Sequence, residues 1–282
     1  NPCAEQSLAP YETCCLAEIY LPNIESEKEL KKVARYLYRI NKHSLAIKCA
    51  VKETEDIVHK HMRMGIGVTG YLQATEEQRG WLESCYIYLR EYDRTYSRDA
   101  GYPASIKLTT VKPSGTLSLL AGVTPGAHPG YSEHYIRRIR MSADSELVNV
   151  CRNNGFGVEY VRNFDGTEDH STVVVSFPCK FPKGTMFAGD MSAVDQLEVI
   201  KRLQAEWSDN SVSVTVYYRK EELDVIKAWL RDNYVNVKSV SFLLHNDHGF
   251  DQAPLEEIDR KTYNKMKKEC TPIVSLKDIK ME

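Results

Sequence analysis

Strand-like and helix-like stretches take turns through the second half of this 282-residue chain. That alternation limits its folds more than any other feature. Thr172–Phe177 is β-branched and stops at Pro178, so it reads as a strand. Ser192–Trp207 follows as a helix, with Leu197, Ile200, Leu203 and Trp207 on one face. Val212–Tyr218 reads as a strand, Glu221–Tyr234 as a helix and Lys238–Leu244 as a strand. Strand and helix in rotation predict an α/β domain with a largely parallel sheet. In the first half, Ser26 and Glu29 form a capping box ahead of Leu30, Val33, Ala34, Leu37 and Ile40. Thr75 and Gln78 open a second helix, with Trp81, Leu82, Cys85, Leu89 and Tyr92 as its apolar face and the run 94–101 as its end. Ile106–Thr110 reads as a short strand, and residues 1–24 as loop with a short strand.

Composition removes several classes of function. Lysine plus arginine is 37 and aspartate plus glutamate 39, a net charge of −2, which argues against a strongly basic nucleic-acid binder. Hydrophobic residues at 42% and charged residues at 27% are those of an ordinary globular chain. Apolar stretches such as Leu117–Val123 are too short to cross a bilayer, and no secretory signal is visible. Without a signal, the 8 cysteines are expected to be thiols in a cytoplasmic setting. No repeat or linker stands out, so residues 1–282 are expected to form a single catalytic segment. The chain opens on Asn1-Pro2 rather than methionine, so a processed or partial chain is expected.

Three motifs carry possible chemistry. Gly65-Ile66-Gly67-Val68-Thr69-Gly70 fits G-x-G-x-x-G, but no strand pattern precedes it, so a packing or turn role is favoured over dinucleotide binding. His59 and His61 would diverge on a helix and do not make a metal pair. Lys112-Pro113-Ser114-Gly115-Thr116-Leu117-Ser118 lies between a strand and an apolar run; on its own it is a capped turn before it is an anion pocket. Asn1, Cys3 and Glu5 alternate, so an extended segment would present all three on one side. A carboxylate beside a thiol raises the thiol pKa and does not make a nucleophile. The set suits hydrogen-atom chemistry, with the carboxylate handling a substrate proton. Cys14-Cys15 is close enough for a returning strand to bring in a second thiol. Buried structural cysteines with a chance alternation are the alternative.

Asn1-Pro2-Cys3-Ala4-Glu5-Gln6-Ser7-Leu8 resembles the finger-loop motif of ribonucleotide reductase large chains. The run from Pro113 to Gly126 resembles the substrate-phosphate loop of the adenosylcobalamin-dependent class. His128-Pro129, the stretch Tyr135 to Arg140, the stretch Trp207 to Val216, and Ser239 to Leu243 with Asp247-His248-Gly249 and Gln252-Ala253-Pro254 are similar to that class as well. The likeness runs in order along almost the whole chain and is strongest to ribonucleoside-triphosphate reductases. It implies a ten-stranded α/β barrel, of which this chain would be the C-terminal half. The implied layout is a finger loop over 1–24, a phosphate loop over 106–130, an α/β segment over 172–244 and an extension over 245–282. By resemblance, Cys3 would become a thiyl radical that takes the substrate 3′ hydrogen, and Glu5 the base at the 3′ hydroxyl. Asn1 would hold the substrate, and Cys14 would be one of a redox pair. Ser114, Gly115, Thr116 and Ser118 would hold the substrate phosphates.

The implied cofactor is adenosylcobalamin. The implied partners are a ribonucleotide, thioredoxin or a similar reductant, and a separate polypeptide carrying the first barrel half. Cys270 stands alone where a tail pair would relay electrons, and Cys15 is an extra thiol expected to be a packed bystander. Two alternatives stay open. One is a nucleotide-binding fragment with no chemistry of its own. The other is a large chain served by a separate radical-generating subunit, for which Tyr217-Tyr218 would be the tyrosine pair; strand packing is the favoured reading of that pair.

Overall fold

A computed structural model describes residues 1, 3–163, 165–245 and 251–274. In chain order the helices are α1 Glu27–Leu45, α2 Lys52–His61, α3 Glu76–Ala100, α4 Leu117–Ala121, α5 Glu146–Asn153, α6 Ala193–Glu206, α7 Leu223–Asn233 and α8 Arg260–Glu269. The strands are β1 Leu16–Tyr20, β2 Gly65–Thr69, β3 Thr109–Thr110, β4 His134–Ser142, β5 Gly157–Arg162, β6 Glu168–Lys180, β7 Thr215–Tyr218, β8 Ser241–Leu244 and β9 Leu255–Glu257. Where the sequence reads as one segment, the chain folds as two compact units. One comprises residues 1–130 with 184–245, the other 131–183 with 246–282.

The first unit holds a run of parallel strands. β1 pairs with β2 and β2 with β3, all parallel. A parallel bridge between Val111 and Val212 carries the run from β3 towards β7, which pairs in parallel with β8. α1, α3, α6 and α7 bury one apolar core against these strands, including Ile19, Leu30, Val68, Leu89, Leu203 and Trp207. The caps behave as the residue types demand. Ser26 accepts from the Glu29 N–H, although Glu29 reaches back to the Glu25 N–H rather than to Ser26. Thr75 and Gln78, and Ser192 and Asp195, close full capping boxes. α3 ends at Ala100, within the expected run 94–101, and is stopped by Gly101, whose φ of 73° is the left-handed cap favoured by glycine.

Lys42 and Asp93 tie α1 to α3 from inside, with side chains 0% and 2% exposed. Asp93 accepts from Lys42 at 3.1 Å and from Tyr38 at 2.7 Å, and the Ser105 N–H donates to it at 2.9 Å. Lys42 also reaches the Pro103 carbonyl at 2.7 Å and the Ser105 hydroxyl at 3.0 Å. Burial pulls the Lys42 ammonium below its usual range while Asp93 pushes back.

The second unit is antiparallel, in the order β5-β6-β4-β9. Thr172–Phe177 is therefore a strand, but it belongs to this sheet and not to the parallel run. Val173, Val174 and Val175 are all buried, and a continuous apolar run looks the same in either kind of sheet. Val148, Cys151, Val173 and Val175 form a small separate core. No helix among the described residues is long and apolar enough to cross a membrane.

Candidate active site

The segment 65–70 is not a turn between strand and helix. Gly65–Thr69 is β2 itself, buried at every residue and central in its sheet. A Cβ on Gly65 would meet Gln6 Nε2, Leu16 Cδ2 and Thr110 Cγ2, each at 2.8 Å. The packing role expected of these glycines is thus specific: glycine at 65 lets the first loop of the chain lie directly on β2. That loop is stitched down along its length. The Ser211 N–H and the Thr110 hydroxyl both donate to the Glu5 carbonyl at 3.1 Å, and the Ser213 hydroxyl donates to the Cys3 carbonyl. Gln6 Nε2 donates to the Cys15 carbonyl at 3.3 Å.

Asn1, Glu5 and Cys14 meet, but not by extended alternation, and among the described residues no hydrogen bond joins the Cys3 side chain to them. The Ala4 N–H donates to the Asn1 carbonyl at 3.1 Å and Ala4 has φ 58°, so this is a tight turn. Asn1 is the hub. Its side-chain amide donates to Glu5 Oε1 at 3.1 Å and to Cys14 Sγ at 3.0 Å. Glu5 is buried, and its Oε2 has no partner among the described residues. Cys3 and Cys14 are exposed free thiols. Burial pushes the Cys14 thiol up and the Glu5 carboxylate adds to the effect, so the thiol keeps its proton at neutral pH. Cys15 packs against the core, and burial lifts its pKa to about 11, which fits a bystander.

Two further carboxylates, neither flagged by a motif, support this region. Glu12 and its partners Arg63 and His61 hold the loop ahead of Cys14. Glu18, on β1, accepts from the Ser114 hydroxyl at 2.6 Å with Lys112 Nζ at 3.5 Å. Burial raises the Glu18 pKa against both of those partners. The only sequence signal for either is its distance from Cys14.

The segment after β3 is a strand-to-helix turn, as expected. Its left-handed residue is Ser114, φ 46°, not Gly115. The Ser114 hydroxyl proton goes to Glu18, and the Ser118 hydroxyl donates to the Ser114 carbonyl at 2.6 Å. Both hydroxyl protons are thus spent inside the protein. Thr116 makes no side-chain cap bond, and among the described residues the N–H groups of Gly115 and Thr116 make no backbone hydrogen bond. Gly126, φ 54°, closes the loop, where a Cβ would lie 2.2 Å from the Lys112 carbonyl oxygen.

The remaining motifs are framework. Asn210 Nδ2 donates to the carbonyls of Met64 at 2.9 Å and Thr109 at 2.8 Å, and Trp207 Nε1 to that of Thr110 at 3.1 Å. These bonds lock the stretch before β7 onto β2 and β3. Burial lowers the His128 pKa; its neutral ring donates through Nδ1 to the Pro125 carbonyl at 3.1 Å and accepts the Thr215 N–H at Nε2 at 3.0 Å. Tyr218 packs on the core and against Phe242, as strand packing requires. Asp247-His248-Gly249 lies outside the described residues. Among the described residues no group of three or more His, Cys, Asp or Glu side chains could hold a metal ion.

Residues 1–83 match the family model described as "Ribonucleotide reductase, barrel domain". The chain's parallel run and the loop laid across it agree with that match. Its likeness extends well past residue 83. It is 34% identical, over 97% of its length, to a protein of Dictyostelium discoideum named "Probable adenosylcobalamin-dependent ribonucleoside-triphosphate reductase". It is 33% identical, over 98% of its length, to the adenosylcobalamin-dependent ribonucleoside-triphosphate reductase of Euglena gracilis. A solved B-12 dependent (class II) ribonucleotide reductase superposes with a TM-score of 0.81 at 29% identity, over 97% of this chain. The chain spans 36% and 38% of the two relatives and 42% of the solved chain.

Proposed function

We propose that this chain is the C-terminal half of the catalytic barrel of an adenosylcobalamin-dependent reductase that converts ribonucleoside triphosphates to deoxyribonucleotides. One observation carries the reading: a single amide, Asn1, bonds both a carboxylate and a thiol, and leaves Glu5 Oε2 buried beside them and unpartnered among the described residues. A buried carboxylate oxygen without a donor is costly unless a ligand supplies one, and a ribose hydroxyl is such a donor.

Glu5 takes the 3′-hydroxyl proton while the Cys3 sulfur, as a thiyl radical, takes the 3′ hydrogen. Cys14 and a second thiol from outside this chain then become a disulfide. Their two electrons and two protons turn the C2′–OH into C2′–H and water, Cys3 returns its hydrogen to C3′, and Glu5 returns its proton to O3′. The exposed Cys3 thiol, its backbone tethered by Ser213, fits a sulfur that must be reached from outside the half-barrel. Adenosylcobalamin, when bound, supplies the one-electron chemistry that oxidises that thiol. Substrate phosphates sit against the N–H groups of Gly115 and Thr116 and the Thr116 hydroxyl, while Ser114 and Ser118 shape the loop. The other barrel half completes the site, on a separate polypeptide or on the same one, and thioredoxin or a similar dithiol reduces the disulfide back to two thiols, becoming a disulfide itself.

The test is a pair of variants in the assembled full-length enzyme. Cys3→Ser removes all turnover, because serine cannot carry the radical. Cys14→Ser still consumes substrate, but releases free base instead of clean deoxynucleotide. Identical product spectra for the two variants would refute the division of roles.

A further inference from the structure

Cys14 sits on a loop just ahead of β1, and among the described residues its side chain is bonded only by the Asn1 amide. A thiol that must meet substrate on one side and a second thiol on the other needs a fixed backbone. Both flanks of Cys14 are pinned to one short stretch, residues 61–65. On the upstream side Glu12, with its side chain 1% exposed, accepts from Arg63 Nε at 2.9 Å and from His61 Nδ1 at 3.0 Å through Oε1. Its Oε2 accepts the Ala9 N–H at 2.7 Å. On the downstream side the Cys15 carbonyl accepts the Gly65 N–H at 2.9 Å. The turn that Glu12 closes contains Tyr11 at φ 63°, a conformation that a bulky residue keeps only where its surroundings enforce it.

We infer that Glu12 is a positioning residue for Cys14: its clamp on Arg63 and His61 holds the thiol where it can act as reductant. This rests on the reading of Cys14 as the reducing thiol. Burial acts to raise the Glu12 pKa, but the bonds from Ala9, Arg63 and His61 outweigh it and keep the carboxylate charged.

The experiment uses the assembled full-length enzyme and reads two quantities, the ratio of deoxynucleotide to released base and the rate of substrate consumption with its isotope effect for 3′-deuterated ribonucleotide. Glu12→Gln should lower the product ratio by about tenfold to a hundredfold, the scale of an ångström's misplacement, and leave 3′ hydrogen abstraction near the parent's rate. A merely structural role would lower both readouts together, and that result would overturn the inference. If Glu12→Gln does not fold, His61→Ala decides, since it removes one bond from a ring at the edge of the cluster. It should shift the ratio in the same direction, and an unshifted ratio in a folded His61→Ala enzyme counts against the clamp. Cys14→Ser is the control: if it leaves the ratio unchanged, the reading of Cys14 fails, whereas a shift in Cys14→Ser with none in Glu12→Gln fails the clamp alone.

Discussion

Replacing Glu5 by glutamine separates shape from chemistry. Glutamine keeps the volume, and its amide oxygen can take the place of Oε1 and accept the Asn1 amide as now, at 3.1 Å. The amide nitrogen then falls where Oε2 lies buried, without a partner among the described residues. Turned the other way, the nitrogen would face the Asn1 donor, so the first orientation is strongly preferred. The change therefore deletes one basic lone pair and little else. Removing a positioned general base costs about 10²–10⁴ in rate, which is about 2.7–5.4 kcal/mol of barrier. In steady-state assays of the assembled enzyme, kcat should fall by that factor with KM within about twofold, because the phosphate contacts are untouched. A kcat within tenfold of the parent, in a variant that folds and binds nucleotide normally, would show that Glu5 is not the base.

Other substitutions test the frame and the phosphate loop. Asp93→Ala strands the buried Lys42 ammonium and should cost about 3–5 kcal/mol in urea unfolding, with part recovered in Asp93→Ala/Lys42→Met; a loss under about 1 kcal/mol would mean the pair is solvated. Gly115→Val should leave stability within about 0.5 kcal/mol, since a Cβ there meets nothing within 4 Å and φ at 115 is not positive. Its KM should rise while kcat holds, and an unchanged KM would place the phosphates elsewhere.

Local rules made the helices of the first unit legible. Ser26, Thr75 and Ser192 cap helices where the sequence places them, because capping depends on a few adjacent residues. Long-range packing hid the rest. β2 has two glycines in five residues, which mask the β-branched Ile66, Val68 and Thr69, and glycine at 65 leaves room for the first loop of the chain. The antiparallel partners of Val173–Val175 lie in β4 and β5, and no local pattern encodes that pairing. The lysine and polar spacing of α2 gave no strong apolar face, and only Val58 is buried on it. At the candidate site, alternation and spacing singled out Asn1, Cys3, Glu5 and Cys14, and the resemblance supplied their expected roles. The meeting of Asn1, Glu5 and Cys14 through the Asn1 amide across a turn at Ala4, and the spending of the Ser114 and Ser118 hydroxyls inside the loop, depend on side-chain geometry that spacing does not contain.

The central claim is that the Cys3 sulfur breaks the C3′–H bond of a ribonucleotide. The most direct measurement is the isotope effect on kcat/KM with 3′-deuterated against unlabelled ribonucleoside triphosphate, in the assembled enzyme supplied with adenosylcobalamin and a dithiol reductant. Abstraction by Cys3 predicts a primary effect, with label returned to C3′ of the deoxynucleotide and no turnover at all in Cys3→Ser. Deoxynucleotide formed by Cys3→Ser with the same 3′ isotope effect would contradict it.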